Sequence, residues 1–259
     1  MQLSLYKNEI FNQYKSNSQI ARVLSENWFH SEMYCPCCLN TNIENYPNNQ
    51  KATDFFCSNC RNEFQTKCSN KKFTRKVLDG EFNTMMNFIN SNKSPNLFLM
   101  QYSNQDWFVK NLFLIPKFFI VPSIIEKRKP LSTDARRAGW IGCNFLLDNL
   151  PEEGKIAIIK DEKIIEKELV NKKWARMIFL NNNNSSIRGW TSDVLKCINK
   201  ISKEEFVIKD IYEFKNYLQR LHPNNKHIEA KIRQQLQILR NNNLIEFTSK
   251  GVYKIKSRM

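Results

Sequence analysis

The sequence predicts an α/β domain around a mixed sheet, followed by a small winged-helix domain. Three observations predict it. Helix-period and strand-period runs alternate through roughly the first 180 residues of the 259, which points to packed helix and sheet layers. Three amphipathic helices and two short strands then close the chain, the element order of a winged helix. Between them lies Asn181–Ser186, a turn-forming run with no apolar residue, which marks a boundary. The expected domains are therefore 1–180 and 187–259, with 181–186 as linker.

The elements follow in order. Ser18 to Ser31 reads as a helix, with Ile20, Val23, Leu24 and Trp28 on one face and Ser18 as N-cap. Phe82, Met85, Met86 and Ile89 repeat at helical spacing. Strand-like runs follow at Leu97–Tyr102, Trp107–Ile115, Phe118–Val121 and Lys155–Lys160. In the second domain, Val194, Leu195, Ile198 and Ile201 give one helix, and Ile211, Phe214, Leu218 and Leu221 a second. Ile228, Ile232, Leu236 and Leu239 give a third, and Leu244–Phe247 with Val252–Ile255 form a hairpin turning at Ser249–Gly251.

The formal charge of +15 favours a polyanionic partner. A membrane is disfavoured. The most apolar run, Asn111–Ile125, is short for a span and is broken by Pro116, Lys117 and Pro122. The start, MQLSLYKNEIF, lacks a signal-peptide pattern, so the reading is a soluble intracellular protein.

Of the eight cysteines, Cys35 and Cys38 form one C-x2-C pair and Cys57 and Cys60 another, with 18 residues between the pairs. Two such knuckles deliver the four thiolates that a structural Zn²⁺ takes, leaving no open position for water. Cys37 competes as a ligand, but the spacing favours Cys38. Cys68 is a spare, and Cys143 and Cys197 read as small buried residues.

The second cysteine pair is enclosed by a polar constellation. Asp54 ends the run Ala52–Phe56, and Phe64–Lys67 begins after the knuckle. Paired as an antiparallel hairpin, these runs put Gln65 and Lys67 on one face, where Asp54 can converge. An acid, a second oxygen and a lysine at i+2 suit a metal-dependent phosphodiesterase: oxygens hold Mg²⁺, and the lysine orients the nucleophile. Glu63 lies on the same face and could supply a further carboxylate.

Several stretches carry a resemblance. They are Tyr14–Gln19 (YKSNSQ), TDFFC around Asp54, Ala135–Asn144 (ARRAGWIGCN), Arg188–Thr191 (RGWT), Lys231–Arg240 (KIRQQLQILR) and the two cysteine pairs. Over nearly its full length the chain resembles the DpnI-type methyl-directed restriction endonucleases. The resemblance implies a PD-(D/E)xK catalytic domain with an embedded zinc site, then a winged helix. It also implies a bacterial cytoplasmic, monomeric enzyme that cuts double-stranded DNA at adenine-methylated GATC. The family's catalytic pattern is Asp-x10-Glu-x-Lys. Asp54 and Lys67 match it, Gln65 stands at the Glu position, and Thr53 stands where a proline is frequent.

The candidate DNA contacts complete the reading. On the third helix of the second domain, Arg233, Gln234 and Gln237 lie on the outer arc with His227 at its edge. Gln suits the adenine edge, and Arg suits guanine or phosphate. Lys250 and Lys254 on the hairpin suit phosphates. In the first domain Arg136 and Arg137 suit phosphate or guanine, and Trp140 could pack against adenine methyl groups. His30 and His222 read as surface or capping residues. A rival without catalysis is a reader of methylated DNA; another is a winged-helix regulator carrying a zinc ribbon.

Overall fold

The structure is a computed structural model and describes residues 1–46 and 53–256. Its elements begin with α1 Asn8–Gln13, α2 Asn17–Glu32, β1 Glu44–Asn45, β2 Phe55–Phe56, β3 Glu63–Ser69, β4 Lys76–Glu81, α3 Phe82–Asn90, β5 Asn96–Ser103, β6 Phe108–Ile115, β7 Ile125–Lys127 and β8 Gly142–Leu146. They continue with β9 Ile156–Lys160, β10 Lys163–Ile164, α4 Lys167–Arg176, α5 Ser185–Ile201, β11 Glu205–Val207, α6 Ile208–Tyr212, α7 Lys215–Leu221, α8 Ile228–Asn241, β12 Ile245–Ser249 and β13 Val252–Ile255. Among the described residues no helix is long and apolar enough to cross a membrane.

These elements form two compact units that interleave along the chain. The first comprises Met1–Thr74, Ser94–Lys117 and Lys155–Ile178; the second comprises Arg75–Lys93, Phe118–Gly154 and Phe179–Met259. The expected division at 181–186 followed chain order. In the structure residues 187–259 share their unit with 75–93 and 118–154, including the Trp140 segment.

The first unit carries a mixed seven-stranded sheet, ordered β1-β2-β3-β5-β6-β9-β10, in which β3 and β5 run parallel and the other neighbours antiparallel. Helix α2 lays its apolar stripe on this sheet: Ile20, Leu24, Trp28 and Phe29 are all buried. Phe29 meets Phe55 and Phe98 at 5.4 and 5.2 Å, and Phe64 stacks on Phe98 at 5.0 Å, each ring almost wholly buried. These rings lock the strands that carry the polar constellation. Ser16 is the N-cap position of α2, with no side-chain capping bond, so the expected cap at Ser18 lies two residues inside, at the second helical position.

Fully buried Asn96, at the start of β5, ties three segments together. Its Nδ2 donates to the Glu63 carbonyl (3.1 Å) and the Asn62 side-chain oxygen (3.4 Å), and its Oδ1 accepts from the Lys117 amide (3.0 Å). Every polar capacity used this way offsets the desolvation of the amide.

The second unit contains a β4-β8-β7 sheet, α3, and the helices α5 to α8 with a β11-β13-β12 sheet. The order from α5 to β13 is that of a winged helix. Helix α5 begins well before the expected Val194. Asn184 is its N-cap, its side chain accepting from the Ile187 amide at 2.9 Å, so the end of the Asn/Ser run works as a cap signal. Arg188 to Ile198 is then buried on all sides. Asp193, fully buried, accepts from Ser123 Oγ at 2.8 Å and contacts His222 Nε2 at 2.8 Å. His222 also stacks on Trp190 at 3.7 Å, so this histidine is a packed structural residue at the C-cap of α7.

Two other expectations change. Phe118–Val121 is not a strand: a 3-10 turn spans Lys117–Phe119 and another Pro122–Ile124. Pro116 and Pro122 bracket the segment and cannot donate to a sheet ladder. The single helix through Ile211 and Leu221 is split into α6 and α7 at Glu213 and Phe214. Strand β11, which the periodicity did not mark, pairs with β13.

Candidate functional site

The two cysteine knuckles have the same backbone plan. In the first, the Leu39 amide donates to the Cys35 carbonyl and the Cys35 amide to the Asn40 carbonyl, both at 2.8 Å; in the second, Arg61 donates to Cys57 and Cys57 to Asn62, both at 2.9 Å. Each turn closes through a left-handed residue, Leu39 at φ 63° and Arg61 at φ 58°. The four sulfurs of Cys35, Cys38, Cys57 and Cys60 lie within 4.8 Å of one another. Cys35 to Cys60 and Cys38 to Cys57 are each 3.6 Å. Tetrahedral zinc with bonds of about 2.3 Å places its sulfurs about 3.8 Å apart, so the residues fit the ion.

Asparagine amides reach the sulfurs from outside: Asn62 Nδ2 to Cys60 at 3.3 Å, Asn59 to Cys38 at 3.5 Å, Asn40 to Cys57 at 3.8 Å. N–H groups aimed at sulfur favour thiolate. Cys37 is buried beside the set, and its thiol lowers Cys35 to about 7 and Cys60 further. Burial pushes Cys57 up to about 12 and raises Cys38. A zinc ion bound here would displace protons from part of the cluster, and its hold would weaken as pH falls. Asn171 of α4 donates to the carbonyls of Pro36 (2.9 Å) and Cys37 (3.0 Å), fixing the first knuckle from the helix side. Arg61→Gly is expected to stabilise the zinc-loaded protein by ~0.5 kcal/mol, because left-handed strain of about 1 kcal/mol is only partly offset by the freedom of unfolded glycine. Denaturant titration of the zinc-loaded variant checks this.

The second knuckle connects β2 to β3. Their antiparallel register pairs Phe55 with Phe64 and Phe56 with Glu63. Ala52, expected to start this run, lies outside the described residues. Asp54 directly precedes β2. The Asp54 amide donates to the Phe64 carbonyl (2.9 Å), and its carbonyl accepts from the Tyr46 amide (2.9 Å). Its carboxylate turns across the end of β2: Oδ2 accepts from the Thr66 amide at 2.6 Å and from Thr66 Oγ1 at 2.9 Å. Asp54 is exposed, while Glu63, Gln65 and Lys67 are half-buried on β3 and share one face by strand alternation. Glu63 is engaged elsewhere, its carboxylate accepting from Tyr46 Oη at 2.7 Å. Sequence reasoning had no signal for Tyr46 or Thr66 as partners of these acids.

In the second unit the segment from Arg128 to Gly142 is a closed loop. Arg128 N–H donates to the Gly142 carbonyl (3.0 Å), Leu131 to Trp140 (2.9 Å), Gly139 to Leu131 (3.0 Å) and Trp140 to Arg137 (3.1 Å). Gly139 takes φ +75°, a left-handed value that suits glycine. Arg136 and Arg137 are exposed; Trp140 is half-buried, with the Arg137 guanidinium 4.6 Å from its ring centroid.

Helix α8 buries Ile228, Ile232, Leu236 and Leu239 as its periodicity requires, and also Gln235, whose Oε1 accepts from Thr191 Oγ1 at 2.7 Å. Arg233, Gln234 and Gln237 are exposed on its outer arc, and exposed His227 is its N-cap residue. Arg233 donates to Tyr212 Oη at 2.6 Å, and Gln237 to Asn241 Oδ1 at 2.6 Å. Tyr212 and Asn241 thus join a surface that periodicity alone had not extended to them. Lys250 and Lys254 are exposed on the β12–β13 hairpin, which turns through Gly251 at φ +75°.

Two family models match the chain. One, described as DpnI, Dam-replacing family, matches residues 1–183; the other, described as Dam-replacing HTH domain, matches residues 186–255.

Proposed function

The chain belongs to the DpnI, Dam-replacing family, and from that premise we propose that it is a type II restriction endonuclease of the PD-(D/E)xK class. In this reading it hydrolyses phosphodiester bonds in double-stranded DNA at adenine-methylated GATC, acting as a monomer in the bacterial cytoplasm. The observation that supports the catalytic part is the Asp54 carboxylate held against Thr66 of β3, the residue between Gln65 and Lys67.

The donor set suits a hard cation. Thr66 engages Asp54 Oδ2 only, and Oδ1 has no hydrogen-bond partner among the described residues. Oδ1 and the Gln65 side-chain carbonyl would hold Mg²⁺, which when bound supplies charge stabilisation and a more acidic attacking water. Thr66 orients the Asp54 carboxylate. Lys67 orients the nucleophile and neutralises charge that develops on the scissile phosphate. Glu63, held by Tyr46 near the knuckle, adds negative potential beside the metal position and is the alternative source of a second carboxylate.

The zinc knuckle stiffens the connection whose two strands must converge, so cleavage depends on it. Trp140 packs against the N6-methyl groups of the modified adenines, beside phosphate or guanine contacts from Arg136 and Arg137. On α8, Arg233, Gln234, Gln237 and His227 face base edges and backbone. Gln234→Ala or Gln237→Ala is expected to cost about 1–3 kcal/mol of discrimination at the base it reads. Lys250→Ala should instead weaken all duplexes alike and reduce the salt slope by about one. Binding isotherms at several salt concentrations separate the two behaviours.

The deciding experiment is digestion of plasmid from adenine-methylating and non-methylating hosts, with Mg²⁺ at low salt. Cutting of the methylated plasmid alone is the expected result. Gln65, uncharged at the position of the family's Glu, favours one second reading, a reader of methylated DNA that no longer cuts. Selective binding without cutting would select that reading.

A further inference from the structure

We infer that Gly142 is a positioning residue for methyl discrimination: its missing side chain forms the seat that fixes the Trp140 indole. This rests on the reading of Trp140 as the group that meets the adenine methyl.

Gly142 is not glycine for backbone reasons, because it lies outside the left-handed region that Gly139 and Gly251 occupy. Its backbone is also held on both sides. It pairs with Glu81 of β4, its carbonyl accepts from Arg128, and the preceding Ile141 carbonyl accepts from Phe82 at 3.0 Å. A methyl group added there would sit 2.8 Å from both Cη2 and Cζ3 of Trp140 and 3.3 Å from Nη1 of Arg128. Carbon atoms make their closest favourable contact at about 3.5 Å, so the two cannot coexist without movement. The strand is pinned, and the Trp140 backbone is pinned by Arg137 and Leu131. The movement falls on the indole.

The indole is enclosed from a second side as well, since the Arg137 guanidinium lies 4.6 Å from its ring centroid. With one flank closed by Gly142 and another by Arg137, the half-buried ring has a defined position before DNA arrives. A van der Waals recogniser needs this, because a methyl group contributes only if the surface meeting it is already at contact distance. Alanine at 142 would displace the ring by part of a methyl diameter, a shift of the same scale as the group to be recognised.

The test uses full-length Gly142→Ala, Trp140→Phe and the double variant. Affinity is measured on one duplex sequence, methylated on both strands or on neither. In the wild type the methylated duplex binds more tightly. Gly142→Ala is expected to reduce that ratio roughly fourfold for each adenine methyl that loses its contact. Phenylalanine lacks Cη2 and Cζ3, so Gly142→Ala on the Trp140→Phe background is expected to change nothing further. That non-additivity is the signature of a seat, which a general loss of stability would not produce. A Gly142→Ala protein with the full wild-type ratio overturns the proposal, as does an equal fall on both duplexes. Should Gly142→Ala fail to fold, as judged by thermal unfolding, the double variant carries the test. It must match Trp140→Phe, and a lower ratio overturns the seat. A wild-type protein that binds both duplexes alike refutes the methyl reading itself, and the seat falls with it.

Discussion

Asp54→Asn is expected to lower the cleavage rate on the order of a thousandfold, about 4 kcal/mol of transition-state stabilisation, while binding of methylated DNA stays unchanged. Asparagine is the informative replacement. Asp54 accepts from the Thr66 amide at 2.6 Å, and an asparagine oxygen can keep that bond. The β2–β3 register and the aromatic packing beneath it therefore persist. What disappears is the negative charge offered to the metal. Two companions refine the assignment. Gln65→Glu restores a charged ligand and should lower the Mg²⁺ concentration for half-maximal activity about tenfold, since a carboxylate is the harder, charged donor. Glu63→Gln should change that concentration little, because Glu63 already accepts from Tyr46 Oη at 2.7 Å. If Glu63→Gln alone abolishes cleavage while Gln65→Glu is neutral, the second carboxylate is Glu63. Full activity in Asp54→Asn, measured by single-turnover cleavage, would remove this hairpin as the active site.

Cys57→Ser, or removal of zinc by a chelator that spares Mg²⁺, is expected to abolish cleavage and lower the thermal midpoint sharply. Structural zinc in a four-thiolate site contributes roughly 10 kcal/mol or more to ordering the segment that binds it. Here that segment is the only covalent connection between Phe56 and Glu63, which pair directly. Cys57 is fully buried, so a serine oxygen would be left facing three sulfurs with no metal to satisfy them. The effect is expected to follow pH as well. The raised thiols of Cys38 and Cys57 must give up protons to bind, so zinc occupancy falls as the solution is acidified. Zinc content by elemental analysis, the thermal midpoint and cleavage should fall together, and returning zinc to the chelated protein should restore all three. Activity that survives complete zinc loss would show that the knuckle does not brace the hairpin.

Much of this was legible because it is local. The C-x2-C spacing converged on one site, and Cys143 and Cys197 are buried as read. The apolar stripe of α8 is inside and Arg233, Gln234 and Gln237 are outside, as a 3.6-residue period demands. Other local signals carry two meanings. Residues that favour turns also cap helices, and Asn184 in the Asn/Ser run caps α5. Phe118–Val121 was apolar enough for a strand, yet its flanking prolines and complete burial made it a connector.

Short-range geometry was therefore readable from the residues alone: metal-ligand spacing and the buried stripe of the helices. Meetings across long separations, which no period encodes, came from the folded chain. Parallel pairing of β3 with β5 places Phe64 beside Asn96. Tyr46 claims Glu63, Tyr212 claims Arg233, and the compact units interleave along the chain. Even the absence of one methyl at Gly142, two residues from Trp140, acquires meaning only once the indole is folded back onto it. Periodicity fixes which face a side chain leaves from. Packing at interior density decides what it touches, because each contact there depends on every neighbour that competes for the same space.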